Sequence, residues 1–180
     1  MIINNRGFFE ETTTNVITAQ AEESSLAQAQ RDIYDSHRHR VFSLAYHMTG
    51  NELAAEQLLT SSFIAAFSVA PKPDGLVIDQ ALIAQLRHYF SFTSAAPAVM
   101  DTATVPVSGK NVRRTDLEEA IQELPSTERL LFLLRDVEGY RSEMISQLLE
   151  MPQPQVNRAL FSARIRLRGI LARLEASRAA

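Results

Sequence analysis

Histidine side chains are the residues of this sequence with the most obvious metal chemistry, and their spacing argues against a metal or catalytic site. The four histidines are His37, His39, His47 and His88. His37 and His39 stand two residues apart, so they do not share a helix face and do not form a helical metal-binding pair. The chain has no cysteine, which excludes disulfides, thiolate metal sites and a nucleophilic thiol. No Gly-rich phosphate loop or nucleophile elbow is present. We therefore predict no metal, no cofactor and no enzymatic activity.

Three acidic residues, Glu118, Glu119 and Glu123, form the other cluster with the residue types of a catalytic site. They fall at the predicted start of a helix, where negative charge complements the helix dipole. We predict that this cluster is structural.

Arginine is concentrated at the end of the chain. Residues 155–180 carry six arginines against Glu175 alone, whereas residues 1–24 are acidic, and the whole chain has a net charge of -3. This net charge argues against a general nucleic-acid coat protein, because affinity for phosphates needs a positive surface. A basic segment of this kind fits either a nucleic-acid contact or a solvated helix face.

Composition places the chain among soluble proteins. It has 46% hydrophobic residues, and it lacks the eighteen or so continuous apolar residues of a membrane span. The N-terminus has neither the charged segment nor the apolar segment of a secretion signal. We expect a cytoplasmic protein without membrane insertion.

Helix punctuation predicts an all-α chain of two small helical domains. Residues 1–24 lack sustained periodicity and are predicted to be a mobile arm. Residues 25–92 contain three helical patterns, with Gly50 predicted to end the first and Asn51 to cap the second. The buried stripe predicted for the third consists of Leu82, Leu86, Tyr89 and Phe90. Residues 93–115 are typical of a flexible linker. Residues 116–175 contain four further helical segments.

The last two helical segments predict a helix-turn-helix. Ser142 to Glu150 is followed by a Met-Pro turn, and Pro154 suits the first turn of a final helix. The apolar spacing turns one side of the final helix inward, through Val156, Leu160, Ala163 and Leu167. The side chains then predicted on or near the outer face, where they would contact DNA bases or phosphates, are Gln155, Asn157, Arg158, Ser162, Arg164, Arg166 and Arg168. A plain amphipathic hairpin with a solvated basic side fits the same pattern.

The second half of the chain resembles region 4 of extracytoplasmic-function sigma factors, which belong to the sigma-70 family. The matching elements run in unbroken register over about sixty residues and comprise Leu124-Pro125, the LLRDVEG segment at 133–139, Glu143, Ile145, Pro152, Val156, Leu160, Ala163-Arg164 and Leu167-Arg168. The resemblance implies a region 4-like domain of four helices in which the helix-turn-helix binds promoter DNA.

The first half resembles region 2 of the same family more weakly. Tyr34 to Gly50 resembles the family's first conserved helix, and Asn51 to Phe67 resembles its most characteristic one. The resemblance implies that this neighbourhood binds polymerase and opens the -10 element. The residues we predict to bind polymerase are Glu56, Gln57, Thr60 and Phe63.

The resemblance implies an RNA polymerase sigma factor that directs promoter recognition and transcription initiation. Core RNA polymerase and promoter DNA are the implied partners, and an anti-sigma factor is a further one that the resemblance allows. Two alternatives stay open, namely a degenerate sigma-like module acting as a decoy or adaptor, and a stand-alone helix-turn-helix regulator.

Several positions depart from the family pattern. Thr60 and Ser61 stand where acidic and Gln residues are usual, Ala65 stands where a basic residue is common, and Ala81 replaces the aromatic residue of an aromatic-Leu pair. These four departures motivate the decoy alternative. In the final helix, Ala159 and Ser162 stand where Arg is frequent. The sequence does not indicate the promoter, the inducing signal or the role of residues 1–24.

Overall fold

The computed structural model describes residues 7–92 and 112–179, and it places side chains over residues 20–92 and 112–178. Helices form the regular structure of these ranges, which confirms the all-α prediction. Helix α5 continues directly into a π-helical turn at Leu133–Val137. The helices are Gly7–Thr49 (α1), Glu52–Val69 (α2), Gly75–Tyr89 (α3), Arg114–Glu123 (α4), Ser126–Phe132 (α5), Ser142–Leu149 (α6) and Gln153–Ala179 (α7).

Helix α1 begins earlier than the sequence pattern predicts. It is 43 residues long and starts at Gly7, so most of the predicted mobile arm, residues 1–24, is helical from that point. Once the packed part of a helix has formed, each further residue adds a backbone hydrogen bond without a new nucleation step, so weak periodicity does not prevent extension. None of the described helices is long and apolar enough to cross a membrane.

The break between α1 and α2 follows the predicted local chemistry. Gly50 has a φ of 64°, the left-handed conformation that glycine adopts without a Cβ penalty, and it ends α1. Asn51 caps α2, because its side-chain oxygen accepts a hydrogen bond of 2.9 Å from the backbone N–H of Ala54. In the same way, Asp74 caps α3 by accepting from Val77 N at 2.9 Å.

Helices α1, α2 and α3 form the first module. Their apolar faces meet in a buried cluster, in which the predicted residues Leu82 and Leu86 of α3 are fully enclosed. Tyr89 was predicted in the same buried stripe and is instead exposed. It is the last residue of α3, where the chain turns to extended backbone at Phe90.

Helices α4 to α7 form the second module. Helix α4 starts at Arg114, two residues before the predicted boundary at 116. Most of the predicted linker, 93–115, lies outside the described residues. Helix α5 packs along α7, and α4 and α6 pack against other parts of α7. The long last helix is therefore the element that organises this module.

Two members of the acidic cluster on α4 form ion pairs. Glu118 pairs with Arg114 at 2.7 Å, and Glu123 pairs with Arg173 of α7. Glu123 is the last residue of α4, so the prediction that it lies in the first turns is wrong. The carboxylates here join α4 to its own first turn and to α7.

The buried side chains of the two modules form one continuous apolar cluster. Helix α3 packs against α6, and the C-terminal part of α1 packs against α4 and α5. The modules are thus in direct contact with each other as well as joined by the chain.

Replacing Asn51 by Ala should lower the free energy of unfolding by about 1 kcal/mol, because the N–H of Ala54 would lose its acceptor. Asn51→Asp is the matched control, since it keeps an acceptor oxygen and adds negative charge at the helix N-terminus. Urea unfolding followed by circular dichroism measures both variants. Equal losses in the two variants would contradict the capping role.

Candidate nucleic-acid interface

The hairpin of α6 and α7 is closed by hydrogen bonds across its turn. Glu150 takes the left-handed conformation, with a φ of 55°, and ends α6. The backbone N–H of Met151 donates to Ser146 O at 3.0 Å, and the Ser146 hydroxyl donates to Met151 O at 2.5 Å. Gln153 Nε2 donates to Glu143 Oε1 at 2.7 Å and ties the start of α7 to α6. These contacts set the direction in which α7 leaves the turn.

The inner face of α7 is the one that the apolar spacing predicts. All four of the predicted inward residues are buried. Because this stripe packs on α5, with α4 and α6 on either side, the opposite face of α7 is turned away from the module. The buried residues are Val156, Leu160, Ala163 and Leu167.

The outer face of the first turns of α7 is open and polar. Asn157 and Arg158 are exposed, and Gln155 is partly exposed. Asn157 and Arg158 have no hydrogen bond or ion pair within the described part of the chain. Gln, Asn and Arg are the side chains that can make bidentate hydrogen bonds to base edges, so this surface has the right chemistry for the major groove.

Ser162 does not lie on the outer face, and its predicted position there is wrong. Its side chain is buried, with the residue only 8% exposed, and its hydroxyl donates to Glu128 Oε1 at 2.8 Å. Glu128 of α5 is itself buried, so a polar partner on α7 lowers the free energy of enclosing that carboxylate. Ser162 therefore faces α5.

Arg166 provides the positive charge for the same carboxylate. Its Nε lies 3.1 Å from Glu128 Oε2. Ala159 and Ser162, where the family often has Arg, are both buried in this structure. The missing arginines therefore leave the outer face unchanged, and a residue one turn further along α7 neutralises Glu128.

Arg164 and Arg168 are exposed but differ in their contacts. Arg164 donates to both carboxylate oxygens of Asp136, at 3.0 and 2.6 Å, and these hydrogen bonds raise the pKa of Arg164. Arg168 has no ion pair or hydrogen bond with any residue that the structure describes. Arg168 is thus the freer of the two charges for a phosphate.

Phe161 is a candidate contact residue that the sequence analysis did not identify. It is 58% exposed and stands between Arg158 and Arg164 on the outer side of α7. A phenylalanine in the major groove can contact the methyl group of thymine. The sequence did carry a signal for Phe161, because it is a large apolar residue at a position that the helical period places on the outer face.

A second exposed face lies on α2. Glu56, Gln57 and Thr60 are exposed there, as expected of contact residues. Phe63, by contrast, is only 3% exposed and packs edge-on against Tyr34, so its side chain belongs to the core of the first module. The prediction that Phe63 is available to polymerase is wrong.

Two apolar residues that the sequence analysis did not select share the exposed face of α2. Leu53 and Ile64 are each 64% exposed. At 3.6 residues per turn, they lie on the same side of the helix as Gln57 and Thr60. We call these four residues and Glu56 the α2 outer face.

Comparison with known proteins relates both the sequence of the second module and the fold of the chain to sigma factors. Residues 114–167 match the family model described as Sigma-70, region 4. The chain is also similar in structure to the sigma factor RpoE from Bartonella quintana, solved in complex with the anti-sigma factor NepR. That likeness has a TM-score of 0.52 at 13% sequence identity, and it covers 84% of this chain and 97% of that chain. No curated protein matches the chain in sequence.

The hairpin and the open face of α7 define a helix-turn-helix protein suited to duplex DNA. The region 4 match begins at the start of α4 and ends within α7, so it includes residues of all four helices of the second module. The structural likeness to RpoE covers most of the chain. Residues 114–167 thus form a domain of the sigma-70 region 4 type.

Replacing Arg166 by Ala should lower the free energy of unfolding by about 2 kcal/mol, because buried Glu128 would lose the guanidinium that neutralises it. Arg168→Ala removes an exposed, unpaired guanidinium from the same helix and should change stability by less than about 0.5 kcal/mol. Urea unfolding of both variants measures the difference. Equal effects would contradict a structural role specific to Arg166.

Proposed function

We propose that this chain directs core RNA polymerase to promoters by reading an upstream element with the outer face of α7, while the α2 outer face binds the polymerase. The observation that carries the proposal is the open polar surface of α7, held from behind by a buried stripe. The chain itself catalyses no reaction, and it acts in the cytoplasm, where the polymerase and its DNA are.

Base reading falls to the N-terminal turns of α7. Arg158 is suited to the O6 and N7 acceptors of guanine, and Asn157 and Gln155 are suited to adenine. Phe161, beside them, adds an apolar contact for a thymine methyl. These assignments rest on exposure and side-chain chemistry, and they leave Ser162 out because its hydroxyl is bound to Glu128.

We assign the attraction of DNA phosphates to the later arginines of α7, which differ in how much of their charge is available. Arg168 is unpaired, so its full charge is available to release counterions from DNA. Arg164 shares its charge with Asp136, and Arg166 shares its charge with Glu128. We assign Arg168 the main phosphate contact and Arg164 a weaker one.

Replacing Arg158 by Ala should reduce transcription by the reconstituted holoenzyme by about 5- to 150-fold and relax the preference at one base position. Arg168→Ala should instead weaken binding at all promoters and reduce the salt slope by about one. Run-off transcription and binding titrations over a range of salt, on a promoter recovered from a randomised library, measure both effects.

Arg31→Ala is the charge-matched control for these variants, because Arg31 is exposed on α1, far along the sequence from α7. It should leave promoter preference and the salt slope unchanged. A promoter footprint that is the same with and without the Arg158 side chain would contradict the base-reading role.

Polymerase binding is assigned to the α2 outer face because two large apolar side chains, Leu53 and Ile64, are exposed on the same side of the helix as polar ones. A partner that covers this face would enclose Leu53 near one end and Ile64 near the other, and it would contact Gln57 and Thr60 between them.

Replacing Ile64 by Ser should weaken binding to core polymerase at least tenfold, because a large exposed apolar contact of this face would be lost. Val69→Ser is the matched control, since Val69 is 75% exposed on the other side of α2. Affinity titration with purified core polymerase measures both. A larger loss with the Val69 variant would contradict the assignment.

The binding and run-off assays also distinguish the sigma function from the decoy function. The decoy function is considered because Thr60, Ser61, Ala65 and Ala81 depart from the family pattern. Binding to core polymerase without any promoter-dependent transcript would favour the decoy. By analogy with the RpoE–NepR complex, we propose that an anti-sigma protein is a further partner of this chain.

A further inference from the structure

We propose that the two modules are held together by a releasable latch, in which Tyr140 of the second module binds a buried carboxylate of the first. The Tyr140 latch consists of Tyr140, Asp79 of α3 and Arg40 of α1. Its release would free the α2 outer face and the α7 outer face to take up a different spacing.

Asp79 is the centre of the latch. It is buried on the side of α3 that faces the second module, and its Oδ1 lies 2.6 Å from Arg40 Nη1 in an ion pair. The other carboxylate oxygen, Oδ2, accepts a hydrogen bond from the Tyr140 hydroxyl. Arg40 Nη1 also donates to the Tyr140 hydroxyl oxygen at 3.1 Å. The hydrogen bond to Oδ2 of this buried carboxylate is therefore present only when the modules are closed.

The backbone around Tyr140 aims its side chain at α3. The chain leaves the π-helical turn through Gly139, which has a φ of 77°. The N–H of Tyr140 then donates to Leu134 O at 2.9 Å, and Tyr140 O accepts from Arg135 Nη1 at 2.8 Å. Because hydrogen bonds hold both the N–H and the C=O of Tyr140, its backbone loses little further conformational freedom when the modules close. This favours the closed arrangement.

Each module also bonds the helix-end carbonyls of the other. From the second module, Gln122 Nε2 donates to His47 O at 2.8 Å, and Arg129 Nη1 donates to Met48 O at 2.6 Å, at the C-terminus of α1. From the first module, Arg87 Nη2 donates to Leu149 O at 3.1 Å, at the end of α6. The last carbonyls of a helix lack intrahelical partners and are readily bonded by water. Most of the polar contacts of the interface can thus be exchanged for water when it opens.

The chain connection is long enough to allow the modules to separate. Residues 93–111 link the described parts of the two modules, and nineteen residues have an extended length of about 65 Å. Contacts between the modules are therefore needed to hold the closed form. Because the outer faces of α2 and α7 belong to different modules, opening changes the distance between them.

The latch is stable over the physiological pH range. Burial, followed by the hydrogen bond and the negative charge of Asp79, raises the pKa of Tyr140 to about 12. Arg40, Asp79 and Glu138 are the charged groups around the phenol. The protonated hydroxyl is favoured in the closed form, so this stabilisation is complete below the ordinary tyrosine pKa and is lost as the pH rises through about 12.

The test uses Tyr140→Phe, which keeps the ring and removes only the hydroxyl. Tyr89→Phe, at an exposed tyrosine of α3, is the matched control. Since the chain has no cysteine, Ser68→Cys on α2 and Gln147→Cys on α6 give a unique pair of exposed labelling sites for distance measurement by spin labels or fluorescence. Circular dichroism confirms that the helices of each variant are intact.

We expect one closed distance population in the parent protein. Tyr140→Phe should raise the ratio of open to closed molecules at least tenfold, and Arg87→Ala should raise it further, whereas Tyr89→Phe should leave it unchanged. A distance distribution for Tyr140→Phe identical to that of the parent would overturn the latch, as would an equal change in the Tyr89 variant.

Run-off transcription then tests the consequence, which rests on the proposed function. Faster holoenzyme assembly by Tyr140→Phe than by the parent supports a closed form that limits assembly, and an equal or slower rate would overturn that role. If the parent yields no transcript, the proposed function fails, and the distance measurement still decides whether the latch exists.

Discussion

The packing of α7 against α5 is the interaction on which the rest of the second module depends. It combines an apolar stripe on α7 with one buried charge, the carboxylate of Glu128. The stripe alone would tolerate a small rotation of α7. The bonds from Ser162 and Arg166 to Glu128 restrict that rotation, because turning either side chain outward would remove one of the two partners of a buried carboxylate. The direction of the outer face of α7 follows from both constraints.

This constraint divides the basic end of the chain between two uses. Four of its six arginines are paired with acids of the preceding elements, and the other two lie on the outer side of α7 without a partner in the described part of the chain. Neither a DNA-binding surface alone nor a solvated helix face alone accounts for all six arginines. The paired acids and arginines are Asp136 with Arg164, Glu128 with Arg166, Glu123 with Arg173 and Asp116 with Arg178.

The contact between the modules differs in kind from the core of either one. Its apolar part is continuous with both cores, but its polar part consists mainly of side chains bonded to helix-end carbonyls of the other module. Such bonds exchange with water at small net free energy. Asp79 is the exception, since its burial depends on a hydroxyl from the opposite module.

The sequence by itself determined the features that depend on a few neighbouring residues. Gly50 and Asn51 mark a helix boundary through their own backbone and side-chain chemistry, and the spacing of Val156 to Leu167 sets the inner face of α7. The helix-turn-helix and its family resemblance follow from such local patterns. Tertiary structure alone decided which polar groups pair between helices. Ser162 bonds Glu128 across 34 residues, and Tyr140 bonds Asp79 across 61, so no helical period relates these partners. Their proximity arises only when whole helices pack, since burial then selects the charges that must be neutralised.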